Sequence, residues 1–364
     1  MVDYLSRIAE LEKELSSMQY NKRTQHHYGL VRAKIAQLRD KQETRSKQGK
    51  KGEGFEVRRT GDGTVILVGF PSTGKSTLLN SITNAHSEVG AYAFTTLTCV
   101  PGIMAYKHAN IQILDVPGIV HGAASGRGRG TEVLAAMRSA DMALLLVDAL
   151  RPGELAVLQK EVYETGIRLD QRKPDVRIKK TAKDGVRIGR TVQTPLLNDE
   201  TIIDILKEFR INNAEVLIRD EIDADQLIDC IEGNKKFMPS LVVVNKVDLI
   251  DPADARRMKT ELQADLMISA KNKEHLDELR EMIFRKLDLI RVYMKEPSKP
   301  ADLEVPLICF RGFTIRDVCD KLHKDFSKMF KYARVWGRSA KFPGQRLMLH
   351  HRLEDGDVLE IHLR

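Results

Sequence analysis

A doubly wound α/β sheet, preceded by a helical hairpin and followed by a small mixed module, is the architecture predicted for this chain of 364 residues. Three observations lead there. Five short apolar runs each end in polar residues, as strands buried on both faces do: TVILVGF (64–70), IQILDVPG (111–118), MALLLVDA (142–149), LVVVNKVD (241–248) and DLMISAK (265–271). Helical stretches separate most of them, so the strands should run parallel, with ligands at their carboxyl ends. A glycine-rich turn within GFPSTGKST (69–77) joins the first run to the helical start STLLNSIT.

Residues 1–60 open the chain. Tyr4, Ile8, Leu11, Leu15 and Met18 share one helical stripe, and Tyr28, Val31, Ile35 and Leu38 repeat it after the polar NKRTQHH. That pattern predicts an antiparallel hairpin. Helices this short need support, so the hairpin is expected to lean on another domain or a partner. KQETRSKQGKKGEGF (41–55) has the composition of a mobile linker. This segment is basic, with 14 Lys/Arg against 8 Asp/Glu over residues 1–60.

The large α/β domain is assigned to 61–290. About 90 residues separate the run at 142–148 from that at 241–245, far more than one crossover needs. GELAVLQKEVYETG (153–166) reads as the crossover helix, and roughly 166–235 as an inserted α/β subdomain. The insertion combines short strands and basic turns with the helices TIIDILKEFRI and ADQLIDCIEG. After the helix HLDELREMIFRKLDLI (275–290), the three prolines of RVYMKEPSKPADLEVPLI suit a domain junction. The last module, 291–364, mixes short strands with one helix, TIRDVCDKLHKDFSKMFKYA (314–333). Asp355-Gly356 favours a tight turn before a final strand.

Composition narrows the functional classes. No apolar run approaches the roughly 18–20 residues that span a bilayer. The N-terminal MVDYLSRIAELEKEL lacks the apolar core of a signal peptide, which predicts a cytoplasmic protein without a membrane partner. Cys99, Cys230, Cys309 and Cys319 show no CxxC spacing and read as reduced, buried thiols. Lys and Arg number 59 against 51 Asp and Glu, an excess that favours a polyanionic partner only weakly.

The chemistry is concentrated in five signatures. Gly69, Phe70, Pro71, Ser72, Thr73, Gly74, Lys75 and Ser76 fit GxxxxGK[ST] between a strand and a helix, with Thr77 next. In that setting backbone N–H groups close round phosphates, and Lys75 reaches the β- and γ-phosphates. The Ser76 hydroxyl ligates magnesium, and the helix N-terminus adds its positive end. Asp115, Val116, Pro117 and Gly118 close the next apolar strand. Its carboxylate is suited to hold magnesium through water, and the Gly118 N–H to sense the γ-phosphate. Asn245, Lys246 and Asp248 follow LVVV. An aspartate can accept both N1–H and N2–H of guanine, a donor pair that adenine lacks. Ser269, Ala270 and Lys271 end the next strand, where a backbone N–H supports the base near the guanine oxygen. Phe94, Thr95 and Thr96 lie between the first helix and the strand leading to DVPG. Thr96 is the threonine favoured to complete the metal shell. The expected ligands are GTP or GDP with Mg2+, the metal being held by Ser76, Thr96 and Asp115. Lys75, Thr96 and Gly118 are the residues expected to act in turnover.

GFPSTGKST, AYAFTTLTCVPG, DVPGIVHGA and the following GRGRG together resemble the Obg-like branch of P-loop GTPases. More closely, the chain is similar to the family of developmentally regulated GTP-binding proteins. The resemblance takes in the basic hairpin, GEGF, the insertion with GIRL and INNAEV, and a tail similar to the TGS domain. It implies a P-loop GTPase fold with a C-terminal β-grasp module and GTP hydrolysis. It also implies a translation-linked switch that contacts ribosomes or RNA, and a stabilising protein partner. A monomer is the expected state.

Ras-type enzymes place a glutamine just after DxxG to orient the attacking water. Here the residue is Ile119, which neither donates nor accepts a hydrogen bond, so slow intrinsic hydrolysis is expected. The resemblance agrees, because a hydrophobic residue at this place is typical of the Obg-like branch. His121, Arg127 and Arg129 follow as candidates for polar assistance, although arginines flanked by glycines more often meet a partner or RNA. Some relatives hold potassium with an asparagine where this chain has Ser72. The resemblance still implies that K+ stimulates turnover.

Two further clusters bear on the partner. Residues 321–346 hold eight Lys/Arg against Asp325, with Lys321, Lys324, Lys328 and Lys331 at helical steps and Trp336 beside them. Residues 171–190 hold eight more against Asp175 and Asp184. Either patch alone reads equally as a solvated face, with Trp336 in a core. Three separated basic regions and the TGS resemblance together favour RNA or a ribosome. No motif for reading an RNA or DNA sequence is present. Two other functions fit the same residues: a GTP-driven RNA-remodelling enzyme, and a nucleotide-binding scaffold with negligible turnover.

Overall fold

The computed structural model describes residues 4–19, 24–47, 61–83, 100–115 and 137–364. These form two compact units. The smaller joins the N-terminal helices to 162–237, and the larger holds the remaining described residues.

The chain opens with α1 (Tyr4–Ser17) and α2 (Gln25–Lys47). Ile8 and Leu11 are buried against Val31 and Ile35, with Leu15 and Leu38 packed at the edge. The large sheet then starts with β1 (Gly63–Val68), every residue of which is buried, and α3 (Lys75–Ile82). β2 (Val100–Tyr106) runs antiparallel to β3 (Ala109–Asp115), and β4 (Met142–Asp148) is wholly buried. α4 (Glu154–Glu164) leads out of the sheet.

In the smaller unit come β5 (Ile167–Leu169), β6 (Val176–Lys180), β7 (Val186–Arg190), α5 (Asp199–Glu208), β8 (Ala214–Ile218), α6 (Ala224–Glu232) and β9 (Lys236–Met238). A three-stranded sheet has the order β6-β8-β7. The Asn198 side chain caps α5 by accepting from the Thr201 N–H at 2.8 Å. Asp223 and Gln226 form a reciprocal capping box on α6. The support expected for the hairpin lies here. Ala33 of α2 enters the core made by Leu197, Ile202, Ile205 and Leu227. Arg32 pairs with Asp225 at 2.8 Å, and His26 with Asp204 at 2.9 Å.

Back in the larger unit, β10 (Ser240–Asn245) and β11 (Leu266–Met267) complete the sheet, with α7 (Pro252–Glu261) and α8 (Leu276–Lys286) following their respective strands. The order is β11-β10-β4-β1-β3-β2, parallel throughout except for β2. Sequence reasoning missed β2, because Pro101 and Gly102 interrupt its apolar run. The proline is tolerated because β2 is an edge strand. The glycine is needed because a Cβ there would stand 2.6 Å from Thr83 Cγ2.

The C-terminal module consists of β12 (Leu289–Met294), β13 (Leu307–Phe310), α9 (Ile315–Leu322), α10 (Phe326–Met329), β14 (Phe330–Trp336), β15 (Gln345–Leu347) and β16 (Asp357–Leu363). Its sheet has the order β13-β12-β16-β14-β15. Ile315, Val318 and Cys319 of α9 cover one face, over Ile290, Val292, Val335 and Leu359. Leu289 and Ile308 instead join the core of the large sheet, beside Leu287. Gly356 takes φ 88° at the predicted turn.

Two expectations are corrected. Pro297, Pro300 and Pro306 lie in the connection from β12 to β13, inside the C-terminal sheet, and mark no junction between domains. The helix predicted over 314–333 ends at Leu322, where His323 is extended, and the segment from Phe330 is a strand. Pairing of Tyr332–Trp336 with Val358–His362 prevails over the helical spacing. Lys321, Lys324, Lys328 and Lys331 therefore form no single stripe. Lys321 instead donates to Asp62 at 3.0 Å and to the Ile308 carbonyl at 2.5 Å.

Among the described residues, Cys230, Cys309 and Cys319 are free, and burial pushes each thiol up to about 11. Cys99 lies outside them. No helix of the described residues is long and apolar enough to cross a membrane.

Candidate functional site

Parallel register brings the carboxyl ends of five strands to one edge of the large sheet. Leu67 of β1 is level with Asp115 of β3, Asn245 of β10 with Asp148 of β4, and Val244 with Met267 of β11. The loop of residues 69–74 leaves β1 at this edge, and α3 follows at Lys75.

Glycine is required at both ends of that loop. A Cβ at Gly69 would lie 2.6 Å from the Leu146 carbonyl oxygen. Gly74 adopts φ 93°, and a Cβ there would stand 2.4 Å from Asn245 Nδ2. Ser72 also has a positive φ, 64°. Phe70 and Thr73 are buried, and the Thr73 hydroxyl donates to the Phe70 carbonyl at 2.9 Å. Pro71, Ser72, Ser76 and Thr77 are exposed.

Lys75 curls back over the loop, its Nζ donating to the Gly69 carbonyl at 3.0 Å and the Phe70 carbonyl at 2.9 Å. Burial draws its ammonium below the usual lysine range, and the nearby Asp115 charge offsets part of that. The Ser76 hydroxyl donates to Asp115 Oδ2 at 2.9 Å. Asp115 is buried, and its Oδ1 has no hydrogen-bond partner among the described residues. A buried, unpartnered carboxylate oxygen beside a hydroxyl is a hard donor set that suits magnesium. Ser76 and Asp115 therefore fit the ion, whose charge would screen phosphate oxygens.

At the other side of the site, the Asn245 carboxamide is a strut. Its Nδ2 donates to the Thr73 carbonyl at 2.8 Å, and its Oδ1 accepts from the Ala270 N–H at 2.9 Å. One side chain thus ties the phosphate-type loop to the Ser269–Lys271 segment. Lys246 takes φ 65°, and its Nζ reaches Asp148 Oδ2 at 2.7 Å. Burial pushes the Asp148 carboxyl upward. Hydrogen bonds from Lys246 and the Leu150 N–H, with the Lys246 and Arg151 charges, outweigh burial and hold it below the usual range. Asp248 is exposed in the turn Val247–Leu249. Ser269 and Ala270 are buried, Lys271 is exposed, and Ser269 Oγ accepts from the Asn272 N–H at 3.1 Å.

Sequence reasoning missed Asp148. Its signal was available, as the last residue of the apolar strand MALLLVD in line with the strand ending at Asn245. Phe94, Thr95, Thr96, Val116, Pro117, Gly118, Ile119, His121, Arg127 and Arg129 lie outside the described residues.

Comparison with known proteins fits these elements. The family model described as a 50S ribosome-binding GTPase matches residues 64–180, and one for the C-terminal region of that domain matches 183–289. The TGS domain model matches 290–363. An uncharacterised GTP-binding protein of Methanocaldococcus jannaschii is 52% identical, over 97% of this chain and 91% of its own. Developmentally-regulated GTP-binding protein 2 of Homo sapiens is 42% identical, over 98% of each chain. Among solved structures, a GTP-binding protein from Pyrococcus horikoshii OT3 aligns with a TM-score of 0.45 and 15% identity, over 83% of this chain and all of that one. The chain thus contains a P-loop GTPase domain followed by a TGS domain, and the protein binds GTP. With both modules matched and the likeness running nearly end to end, the chain belongs to the family of developmentally-regulated GTP-binding proteins.

Proposed function

We propose that this chain is a slow GTPase switch whose nucleotide state governs its association with a ribosome or another RNA in the cytoplasm. Membership of a P-loop GTPase family carries GTP hydrolysis in general. The finer reading assigns Gly69–Thr77 to the phosphates, Ser76, Thr96 and Asp115 to Mg2+, and Asp248 to guanine. It also assigns Val116, Pro117 and Gly118 to sensing the γ-phosphate, groups Phe94 and Thr95 with Thr96, and gives the base to Ser269–Lys271 with Asn245 and Lys246.

One observation carries the reading: Lys75 and the Ser76–Asp115 pair meet at the edge where Asn245 joins the loop to Ala270. A lysine drawn over carbonyl oxygens is positioned to exchange them for phosphate oxygens. Ile119 supports a slow rate, since it offers no hydrogen bond to a water. The matched model's name, 50S ribosome-binding GTPase, and the basic surfaces support an RNA-containing partner. The molecule acts as a monomer, with a stabilising protein partner.

GTP turnover with and without ribosomes, for the native chain and Lys75→Ala, tests the switch; identical behaviour of the two proteins would sink it. Calorimetry with ATP against GTP tests the base assignment, which fails if the two bind equally. Turnover in matched potassium and sodium buffers tests the proposed K+ stimulation, and equal rates remove it.

A further inference from the structure

The basic cluster of the C-terminal module is a hairpin surface. On β14 the side chains of Ala333 and Val335 enter the core, so Tyr332, Arg334 and Trp336 face the other way. Arg346 of β15 lies directly opposite Arg334. Like charges placed across a strand pair repel, so the arrangement calls for compensation from outside the pair.

The local acid does not supply it. Glu360 is level with Arg334 on β16, but its carboxylate is already engaged by Lys295 and by His362, the latter at 2.6 Å. His362 in turn stacks on Tyr332 with ring centroids 4.3 Å apart, and the Arg346 guanidinium lies 4.6 Å from the Tyr332 ring centre on the same network. Arg334, Arg338, Lys341 and Arg346 make no ion pair among the described residues, whereas Lys246, Lys295 and Lys321 all do. Within the connection from β14 to β15, Phe342 is 60% exposed between Lys341 and Pro343. An exposed aromatic ring in the connection that holds Arg338 and Lys341, between strands that carry Arg334 and Arg346, supplies what single-stranded nucleic acid requires: charge for its backbone and a flat surface for an unstacked base.

We propose that the β14–β15 hairpin binds single-stranded RNA, with Arg334, Arg338, Lys341 and Arg346 on its phosphates and Phe342 stacked on an unpaired base. This rests on the RNA-associated reading above and gives that reading a surface and a strand type. The cross-strand arginines lose their repulsion when a phosphate lies between them. Phe342 adds a preference for unpaired bases, whose faces a duplex hides.

Fluorescence anisotropy of the full chain with a labelled oligoadenylate, at graded salt, tests this. The native chain should bind with a steep salt dependence, and more weakly when the strand is annealed to its complement. Arg334→Gln with Arg346→Gln should lower the log–log salt slope by about 1.4, at roughly 0.7 per phosphate contact on a single strand. Phe342→Ala should weaken binding roughly ten-fold with the slope unchanged. Retained GTP binding and melting temperature show that the variants fold. The proposal is overturned if Phe342→Ala binds like the native chain, if the duplex binds as tightly, or if polyglutamate competes equally. Ribosome pelleting separates the two levels. If all variants pellet like the native chain, this surface is wrong and the broader reading stands. If the native chain associates with neither ribosomes nor RNA, the broader reading falls with it.

Discussion

The two sheets of the larger unit put their chemistry in different places. In the six-stranded sheet, β1 and β4 are buried along their whole length, so polar groups surface only where strands end. There they are tied to partners of the same chain: Lys75 to two carbonyls, Ser76 to Asp115, Lys246 to Asp148. In the five-stranded sheet one face is covered by α9, Leu289 and Ile308 join the core of the large sheet, and the β14–β15 hairpin presents Arg334 opposite Arg346 with no ion pair among the described residues. A parallel sheet covered on both faces leaves its ends for a ligand, whereas a mixed sheet covered on one side leaves a face. The first arrangement organises a site before its ligand arrives. The second leaves a surface whose repulsion a partner relieves.

Substitutions should separate the two in size and in sign. Lys75→Ala should have the largest effect, with turnover lost and GTP affinity reduced by about 3 kcal/mol, the worth of one or two hydrogen bonds to a charged group, read by calorimetry. Gly74→Ala places a Cβ against Asn245 at a left-handed backbone position, and should cost about 2 kcal/mol in denaturant unfolding with weakened nucleotide binding. Asp148→Asn should cost about 1 kcal/mol at neutral pH. The native carboxyl is held below its unfolded value, so its contribution is present above about pH 4 and disappears as pH falls through the folded value. The gap between native and variant melting curves should therefore close on acidification; a gap that persists at low pH would refute the charge-based account. On the hairpin the sign reverses. Arg334→Thr should raise stability by about 0.5 kcal/mol by removing the like-charge pair, and Phe342→Ala should change it by less than about 0.5 kcal/mol. A large loss from either would make the hairpin part of the core and erase the contrast.

Much of the larger sheet was legible because each buried strand ends at a polar motif, and those ends coincide in space. The loop, Asp115, Asn245 and Ser269 follow from strand ends alone. The C-terminal cluster was misread because lysines at steps of three and four imitate a helix. The apolar residues that follow them, Ala333 and Val335, alternate as a strand does. The role of Asn245 as a strut was invisible for a different reason. It depends on Thr73 and Ala270, which are distant in sequence and meet only through sheet order. Asp148 was overlooked because its partner, Lys246, comes from a separate strand end. The β2 edge was hidden by a proline and a glycine that an interior strand would not tolerate.

The shared packing of Leu289 and Ile308, with the Lys321–Asp62 bridge, has a mechanical consequence. Asp62 immediately precedes the strand that launches residues 69–77. The last seventy or so residues are therefore anchored beside the strand from which residues 69–77 leave. Pruning the tail would strip an oily flank from the six-stranded sheet instead of freeing a loose appendage.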